Sequence, residues 1–106
     1  MIKYKTLTLC ALAGIGIPLL ITGCDTHAQG KKIFQREKCV DCHTINGKGG
    51  AVGPNLTNVG NRRSREYITE QLKDPKSHNP NTQMPSFKDL PEQDFKDLVA
   101  YLTSLK

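Results

Sequence analysis

Cys39, Cys42 and His43 lie together in "CVDCH" and are the residues best suited to chemistry in this 106-residue chain. Two cysteines with this spacing form a redox-active dithiol in some proteins, but that motif accompanies a strand and a helix, and no strand pattern is found nearby. Structural zinc requires four ligands, usually as two separated pairs, and no second cysteine pair is found. A structural disulfide would close a very small loop and would leave His43 without a role.

Covalent haem attachment uses all three residues, and C-x-x-C-H is its specific signature. Two cysteines three positions apart can form thioethers to the two vinyl groups on one edge of a porphyrin. The next residue then lies beneath the ring, where its imidazole can bind the iron. The motif therefore predicts one covalent haem c, with Cys39 and Cys42 as its anchors and His43 as the proximal axial ligand.

The beginning of the chain has the pattern of an export signal. Two lysines precede an uncharged apolar run of 15 residues, Leu7–Ile21. Because a bilayer span needs about 20 residues, a secretory signal is favoured over a permanent membrane helix. The sequence "ITGC" resembles the lipobox of bacterial lipoproteins, so we expect residues 1–23 to be removed and Cys24 to be lipidated. The alternative is ordinary cleavage after Ala28, which would give a soluble periplasmic protein.

The exported chain is small and mildly basic. From Cys24 onward it has 15 − 2 = 13 basic and 10 acidic residues, a net charge of +3. This excess is scattered, with no basic tract interleaved with aromatic residues, so we expect no nucleic-acid partner. We expect residues 24–28 to form a short tether and residues 29–106 to form one domain. So short a chain buries only a marginal core unless something else stabilises it.

Apolar periodicity predicts helices at both ends of this domain. Residues 28–38 before the motif are predicted to be helical, and residues 91–105 carry an apolar stripe typical of a packed helix. A middle helix is predicted over residues 64–73, with Ser64 as its N-cap and Pro75 ending it. The glycine-rich run "TINGKGGAV" between the motif and "GPNL" predicts a loop.

Five segments, "GKKIF", "CVDCH", "GPNL", "QMPSF" and "LVAYLTSL", together resemble a class I monohaem c-type cytochrome of the small bacterial lipoprotein type. The resemblance covers nearly all of residues 29–106. It implies an all-α fold in which three to four short helices wrap one covalent haem and the terminal helices cross. It also implies that Phe34 and Tyr101 meet at that crossing, and that the Pro54 carbonyl accepts a hydrogen bond from His43.

Met84 is the predicted distal ligand of the iron. Once Met1 is removed it is the only methionine, and it lies in the proline-flanked run "NPNTQMPSF" at the position of the family's axial ligand. A thioether favours ferrous over ferric iron, and His/Met ligation raises the reduction potential. The rival ligands are His78 and His27, and a bis-histidine haem would have a lower potential.

These features predict a monomeric one-electron carrier rather than an enzyme, because an iron with both axial positions filled binds no small-molecule substrate. We expect redox protein partners, such as a quinol-oxidising complex and a terminal oxidase or reductase, and a lipid tether that holds the haem near the membrane outside the cytoplasm. The alternative is a five-coordinate gas sensor or peroxidase-like haem protein, which requires Met84 to be off the iron. Arg62, Arg63 and Arg65 are candidates for contact with a haem propionate, and their role stays open.

Overall fold

The computed structural model describes residues 26–106, whose regular structure is mostly helical. The helices are α1 (Thr26–Arg36), α2 (Val59–Arg62), α3 (Arg65–Lys73) and α4 (Glu92–Ser104), with 3-10 turns at Cys39–Asp41 and Pro75–Ser77. The predicted all-α class with three to four helices is confirmed. The predicted export signal and Cys24 lie outside the described residues. Within residues 26–106, no helix is long and apolar enough to cross a membrane.

Helix α1 is shifted slightly from its predicted bounds. It begins at Thr26 rather than Ala28, so residues predicted as part of the tether are helical, and it ends at Arg36. Lys38 adopts a left-handed conformation with φ of 63°, which is typical of the residue after a helix end. This bend leads the chain directly into the 3-10 turn Cys39–Asp41. The end of α1 therefore sets the position of the two cysteines.

Helices α1 and α4 cross through a close contact at Gly30. A Cβ atom at this position would overlap the backbone carbonyl of Asp97 and the Cβ of Tyr101, so only glycine fits without a shift. Next to it, the rings of Phe34 and Tyr101 pack edge to face, with centroids 6.0 Å apart and planes inclined by 65°. The expectation that these two rings meet where the terminal helices cross is confirmed.

The helix starts are stabilised in different ways. The Oγ of Ser64 accepts a hydrogen bond from the backbone N–H of Tyr67 at 3.0 Å, which confirms the predicted N-cap of α3. Pro91 occupies the N-cap position of α4 and supplies no side-chain hydrogen bond. Glu92 and Asp94 lie in the first turn of α4, where negative charge interacts favourably with the helix dipole.

The predicted glycine-rich loop contains a short antiparallel hairpin. Strand β1 (Thr44–Ile45) pairs with β2 (Lys48–Gly49), with Thr44 opposite Gly49. Asn46 and Gly47 connect the strands with φ of 52° and 80°, the geometry of a tight hairpin turn. This hairpin folds the chain back toward the cysteine motif.

The hydrophobic core lies between α1, α3 and α4. Its nine buried apolar residues come from all four helices: Ile33, Phe34, Val59, Ile68, Leu72, Leu98, Val99, Tyr101 and Leu102. Ile33 and Leu98 are fully enclosed. The candidate site lies against this small core.

Candidate functional site

A cavity of about 460 Å³ lies between the cysteine motif, α2, α3 and the loop that carries Met84. Cys39, Cys42, His43 and Met84 all contribute to its lining. Apolar side chains from α2, α3, α4 and the loops form most of the remaining wall: Val52, Leu56, Val59, Ile68, Leu72, Phe87 and Leu102. A mostly apolar wall with a few converging polar groups is typical of a site for a cofactor or small molecule, and the volume is in the usual range of roughly 300–1,000 Å³.

The two cysteines lie on one side of this cavity, at the start and just past the end of a single 3-10 turn. The backbone N–H groups of Cys42 and His43 both donate to the carbonyl of Cys39, at 3.2 and 3.0 Å, so the turn holds the three residues in fixed relation. No disulfide bond joins Cys39 to Cys42. Burial is the main cause that raises the pKa of the Cys39 thiol to about 11, whereas Cys42 is exposed.

The imidazole of His43 is oriented by the "GPNL" segment. Its Nδ1 lies 2.8 Å from the Pro54 carbonyl oxygen, which can only accept, so Nδ1 carries the proton and Nε2 keeps its lone pair. Gly53 lies against the ring, because an added Cβ there would be 2.5 Å from Cε1 and 2.8 Å from Nδ1. The N–H of Gly53 also donates to the carbonyl of Cys42 at 2.7 Å, which fixes this segment to the cysteine motif.

Met84 is half-buried and lines the same cavity as His43. Its backbone N–H donates to the Thr82 hydroxyl at 3.1 Å, and its sulfur accepts from the Nε2 of Gln71 at 3.4 Å. The loop after it is attached to the end of α3, where the Phe87 N–H donates to the Leu72 carbonyl at 2.8 Å. The structure thus presents an imidazole nitrogen and a thioether sulfur to one cavity.

Of the two rival ligands of the iron, His78 lies at the cavity and His27 does not. His78 lines the cavity, but its Nδ1 lies 2.7 Å from the Oε1 of Gln71 and its ring stacks on Tyr67 with centroids 4.0 Å apart. His27 lies in the first turn of α1, and the cavity lining does not include it.

Of the three arginines whose role the sequence leaves open, two lie at the cavity. Arg62 and Arg63 line it, while Arg65 lines a separate shallow groove between α3 and α4. Arg62 donates to the Asn55 carbonyl at 2.6 Å and to the Asn58 amide oxygen at 2.9 Å, so it holds the loop between "GPNL" and α2. The guanidinium of Arg63 lies 4.3 Å from the Tyr67 ring centroid.

The residues present fit a haem better than a metal ion. Among residues 26–106 there is no group of three or more His, Cys, Asp or Glu side chains that could hold a metal ion. The arrangement instead offers two thiols at one side, an oriented imidazole, a thioether and an apolar wall, which suits a large apolar ring carrying iron.

A model of the cytochrome c family matches residues 27–106, which includes all of these site residues. The chain belongs to the cytochrome c family. It is a class I monohaem c-type cytochrome, so its cofactor is one covalently bound haem c. The predicted haem c and the predicted class I monohaem family are thereby confirmed, and the lipoprotein type stays a prediction.

Relatives of this chain include an oxidase subunit and a protein named cytochrome c. The chain is 36% identical over 86 residues to cytochrome c oxidase subunit 2 of Alkalihalophilus pseudofirmus, covering 74% of this chain but 25% of that subunit, so it spans a quarter of that relative's length. It is also 36% identical over 96 residues to cytochrome c of Theileria annulata, covering 71% of this chain and 82% of that protein.

Among solved structures, SoxXA from P. pantotrophus superimposes with a TM-score of 0.67 at 22% identity. The match covers 76% of this chain and 81% of that one. At this identity the likeness establishes the cytochrome c fold alone.

Two residues at the site were missed by sequence reasoning, Gly53 and Gln71. Gly53 was visible only as part of "GPNL", and nothing in its sequence context indicates that the His43 ring lies on its Cα. Gln71 was predicted only as part of the middle helix, residues 64–73. Gln71 and Met84 are 13 residues apart in the sequence, so their contact depends on how the Met84 loop folds back onto α3.

Proposed function

We propose that this cytochrome c is a one-electron carrier whose haem iron is held between His43 and Met84, with Cys39 and Cys42 as the covalent anchors. The observation that supports this most directly is that the imidazole and the thioether line one cavity, each already oriented by a hydrogen bond. The bound haem supplies reversible one-electron exchange at its iron. Pro54 keeps the His43 proton on Nδ1, which leaves Nε2 available as a metal ligand and makes the imidazole a stronger donor.

Ligation of the iron by both an imidazole and a thioether would also favour a carrier over an enzyme. A thioether favours ferrous iron and raises the potential, and a filled sixth position leaves none for a substrate. Met84 belongs to a loop fixed at Thr82 and at the end of α3, so its sulfur is positioned before any ligation.

Substitution of Met84 tests this proposal. We expect Met84→Ala to retain covalent haem and to open the iron to carbon monoxide, whereas the ferrous wild-type protein stays inert to it. Absorption spectra of the reduced proteins with and without carbon monoxide measure the difference. The matched control is His78→Asn, which removes the rival imidazole at the same cavity and is expected to remain inert.

A Met84→Ala protein that stays six-coordinate and inert to carbon monoxide would show that Met84 is not the ligand. If the wild-type protein itself binds carbon monoxide readily, the iron is five-coordinate and the carrier function is replaced by gas binding or peroxidase-like chemistry.

We propose redox protein partners in a respiratory membrane, among them a quinol-oxidising complex and a terminal oxidase or reductase. The similarity to a cytochrome c oxidase subunit 2 supports an oxidase as electron acceptor. The net charge of +3 from Cys24 onward supports docking on acidic surfaces, because opposite charge speeds encounter at low salt. We expect the chain to act as a monomer, and the rate of its oxidation by such a partner to fall as ionic strength rises.

We propose that the chain is exported and anchored by lipidated Cys24, outside the cytoplasm. Because α1 begins at Thr26, a single residue would separate the acylated cysteine from the first helix and would hold the haem domain close to the bilayer surface. The intact mass of the exported protein tests this. We expect residues 24–106 plus one haem and acyl chains, and a Cys24→Ser control that lacks the acyl mass. A mass matching residues 29–106 plus haem would instead identify cleavage after Ala28 and a soluble protein.

A further inference from the structure

A chain of side-chain contacts connects the sulfur of Met84 to the protein surface through Gln71 and His78. The Gln71 amide nitrogen lies 3.4 Å from the Met84 sulfur, and its amide oxygen lies 2.7 Å from the Nδ1 of His78. Gln71 is half-buried on α3, while His78 is exposed just after the 3-10 turn Pro75–Ser77. The two contacts use opposite ends of one rigid planar amide.

Donor and acceptor chemistry fixes the direction of these bonds. A thioether sulfur can only accept, so the NH₂ end of Gln71 must face Met84. The amide oxygen then faces His78 and can only accept, so Nδ1 of His78 must carry a proton and donate it. If His78 supplied no donor here, the weak acceptor sulfur of Met84 would be the only member of this chain of contacts that favours this orientation of the amide. The histidine therefore selects the orientation of the glutamine.

His78 is itself held in place by packing. Its ring is stacked on Tyr67 with centroids 4.0 Å apart and planes inclined by 1°. The His78 ring covers one face of the Tyr67 ring. The guanidinium carbon of Arg63, 4.3 Å from the Tyr67 ring centroid, therefore lies over the other face. Tyr67 and Gln71 are four residues apart on α3 and so lie on one helix face. One face of α3 thus positions both the stacked imidazole and the amide.

We propose that His78 is a positioning residue that tunes the reduction potential of the haem by orienting Gln71 toward the sulfur of Met84. This inference rests on the proposed function, in which Met84 is the distal ligand. An N–H directed at the sulfur draws electron density from it, so the thioether donates less to ferric iron and the ferrous state is favoured. The intact His78–Gln71 contact therefore raises the potential, and its loss lowers it.

The test is a set of variants of the full-length, haem-loaded protein, measured by redox titration and by the red-edge sulfur-to-iron charge-transfer absorption of the ferric form. Gln71→Leu removes the donor to sulfur. His78→Phe keeps a ring for stacking on Tyr67 but has no N–H, whereas His78→Asn places an amide N–H close to the position of Nδ1. We expect Gln71→Leu and His78→Phe each to lower the potential, and His78→Asn to restore most of the wild-type value.

The double variant Gln71→Leu/His78→Phe separates a relay from two independent effects. If His78 acts through Gln71, the double variant is expected to shift the potential no further than Gln71→Leu alone, a strongly non-additive result. Because His78 is exposed, its variants are expected to fold even where Gln71→Leu lowers stability. Phe and Asn are both uncharged, so a difference between them reports the donor and not a lost charge.

Three results would overturn this inference: an unchanged potential in Gln71→Leu, equal shifts in His78→Phe and His78→Asn, or additive shifts in the double variant. Failure of the proposed function looks different. It would appear as a wild-type protein that lacks the sulfur-to-iron absorption, whereas failure of this inference alone leaves that absorption present in the wild type.

Discussion

At the scale of single residues, the His43 ring is held on two sides by neighbours in one short segment. The Pro54 carbonyl fixes Nδ1 at 2.8 Å, and the Cα of Gly53 lies against the ring atoms Cε1 and Nδ1. The two contacts depend on each other, because the His43 ring can reach the Pro54 carbonyl only if residue 53 has no side chain. The segment thus supplies both the partner and the space for the imidazole.

We predict that Gly53→Ala displaces the His43 ring and lowers stability by about 1–3 kcal/mol, the usual cost of forcing an extra methyl group into a packed site. Guanidinium unfolding of the ferric, haem-loaded protein, followed by the haem absorption, measures the loss. Ala51→Ser, in the same exposed loop, is the control and is expected to unfold like the wild type. Equal stability of Gly53→Ala and the wild type would mean that the ring tolerates a Cβ there.

The site residues differ in how far the sequence can predict them. Cys39, Cys42 and His43 are adjacent in the chain, and their spacing alone indicates one chemistry. Gly53 and Gln71 have no such local pattern. Gly53 contacts His43 across a turn, and Gln71 contacts Met84, 13 residues further along the chain. A glycine or glutamine is common enough in any context that only the folded arrangement gives these two their roles.

At the scale of elements, the crossing of α1 and α4 is maintained by close backbone approach rather than by charge. The Arg36–Asp94 ion pair joins the two helices at 3.0 Å, but Arg36 is half exposed, and exposed pairs of this kind contribute little. Gly30 and the Phe34–Tyr101 pair, by contrast, are buried. The angle and spacing of the helices therefore depend mainly on the glycine.

We predict that Gly30→Ala separates α1 from α4 and destabilises the protein by about 1–3 kcal/mol, even though alanine is the better helix former. Thermal unfolding followed by far-UV circular dichroism is the measurement. Gln29→Ala, the exposed neighbour on the same helix, serves as the control and should be neutral or slightly stabilising. A Gly30→Ala protein as stable as this control would show that the crossing has room for a methyl group.

The long elements were predictable and the short ones were not. Helix α4 has a sustained apolar stripe, and α3 has a serine cap at Ser64, so periodicity and capping located both. Helix α2 has four residues, "VGNR", too few to establish a period. The hairpin strands have two residues each, and their only signal is the Asn46–Gly47 pair in a polar, glycine-rich run. Such short elements form because their neighbours hold them.

At the scale of the whole molecule, the core and the cavity share their walls. Val59, Ile68, Leu72 and Leu102 belong to the buried core and also line the cavity. A haem bound in this cavity would therefore complete the hydrophobic interior. A domain of this size has few other apolar residues from which to build a core.

We predict that the double variant Cys39→Ser/Cys42→Ser, which cannot bind haem covalently, loses cooperative thermal unfolding and much of its helix content. The physical reason is that four core residues would face an unfilled cavity, and loss of packed apolar contacts costs several kcal/mol in a domain whose total stability is about 5–15 kcal/mol. Circular dichroism and calorimetry measure this, with Cys24→Ser as the cysteine control. A sharp, cooperative transition in the double variant would show that the helices fold without the haem.

The attachment of the Met84 loop to α3 also bears on the speed of electron transfer. The Ser86 hydroxyl donates to the Lys73 carbonyl at 2.5 Å, and the Phe87 N–H donates to the Leu72 carbonyl at 2.8 Å, so the chain just after Met84 is held at two successive residues. If Met84 is the distal ligand, as we propose, such a support gives the iron–sulfur distance little freedom to change between oxidation states. The reorganisation energy from this ligand would then be small, and the rate of electron transfer would be governed by the distance to the partner's cofactor and the difference in potential.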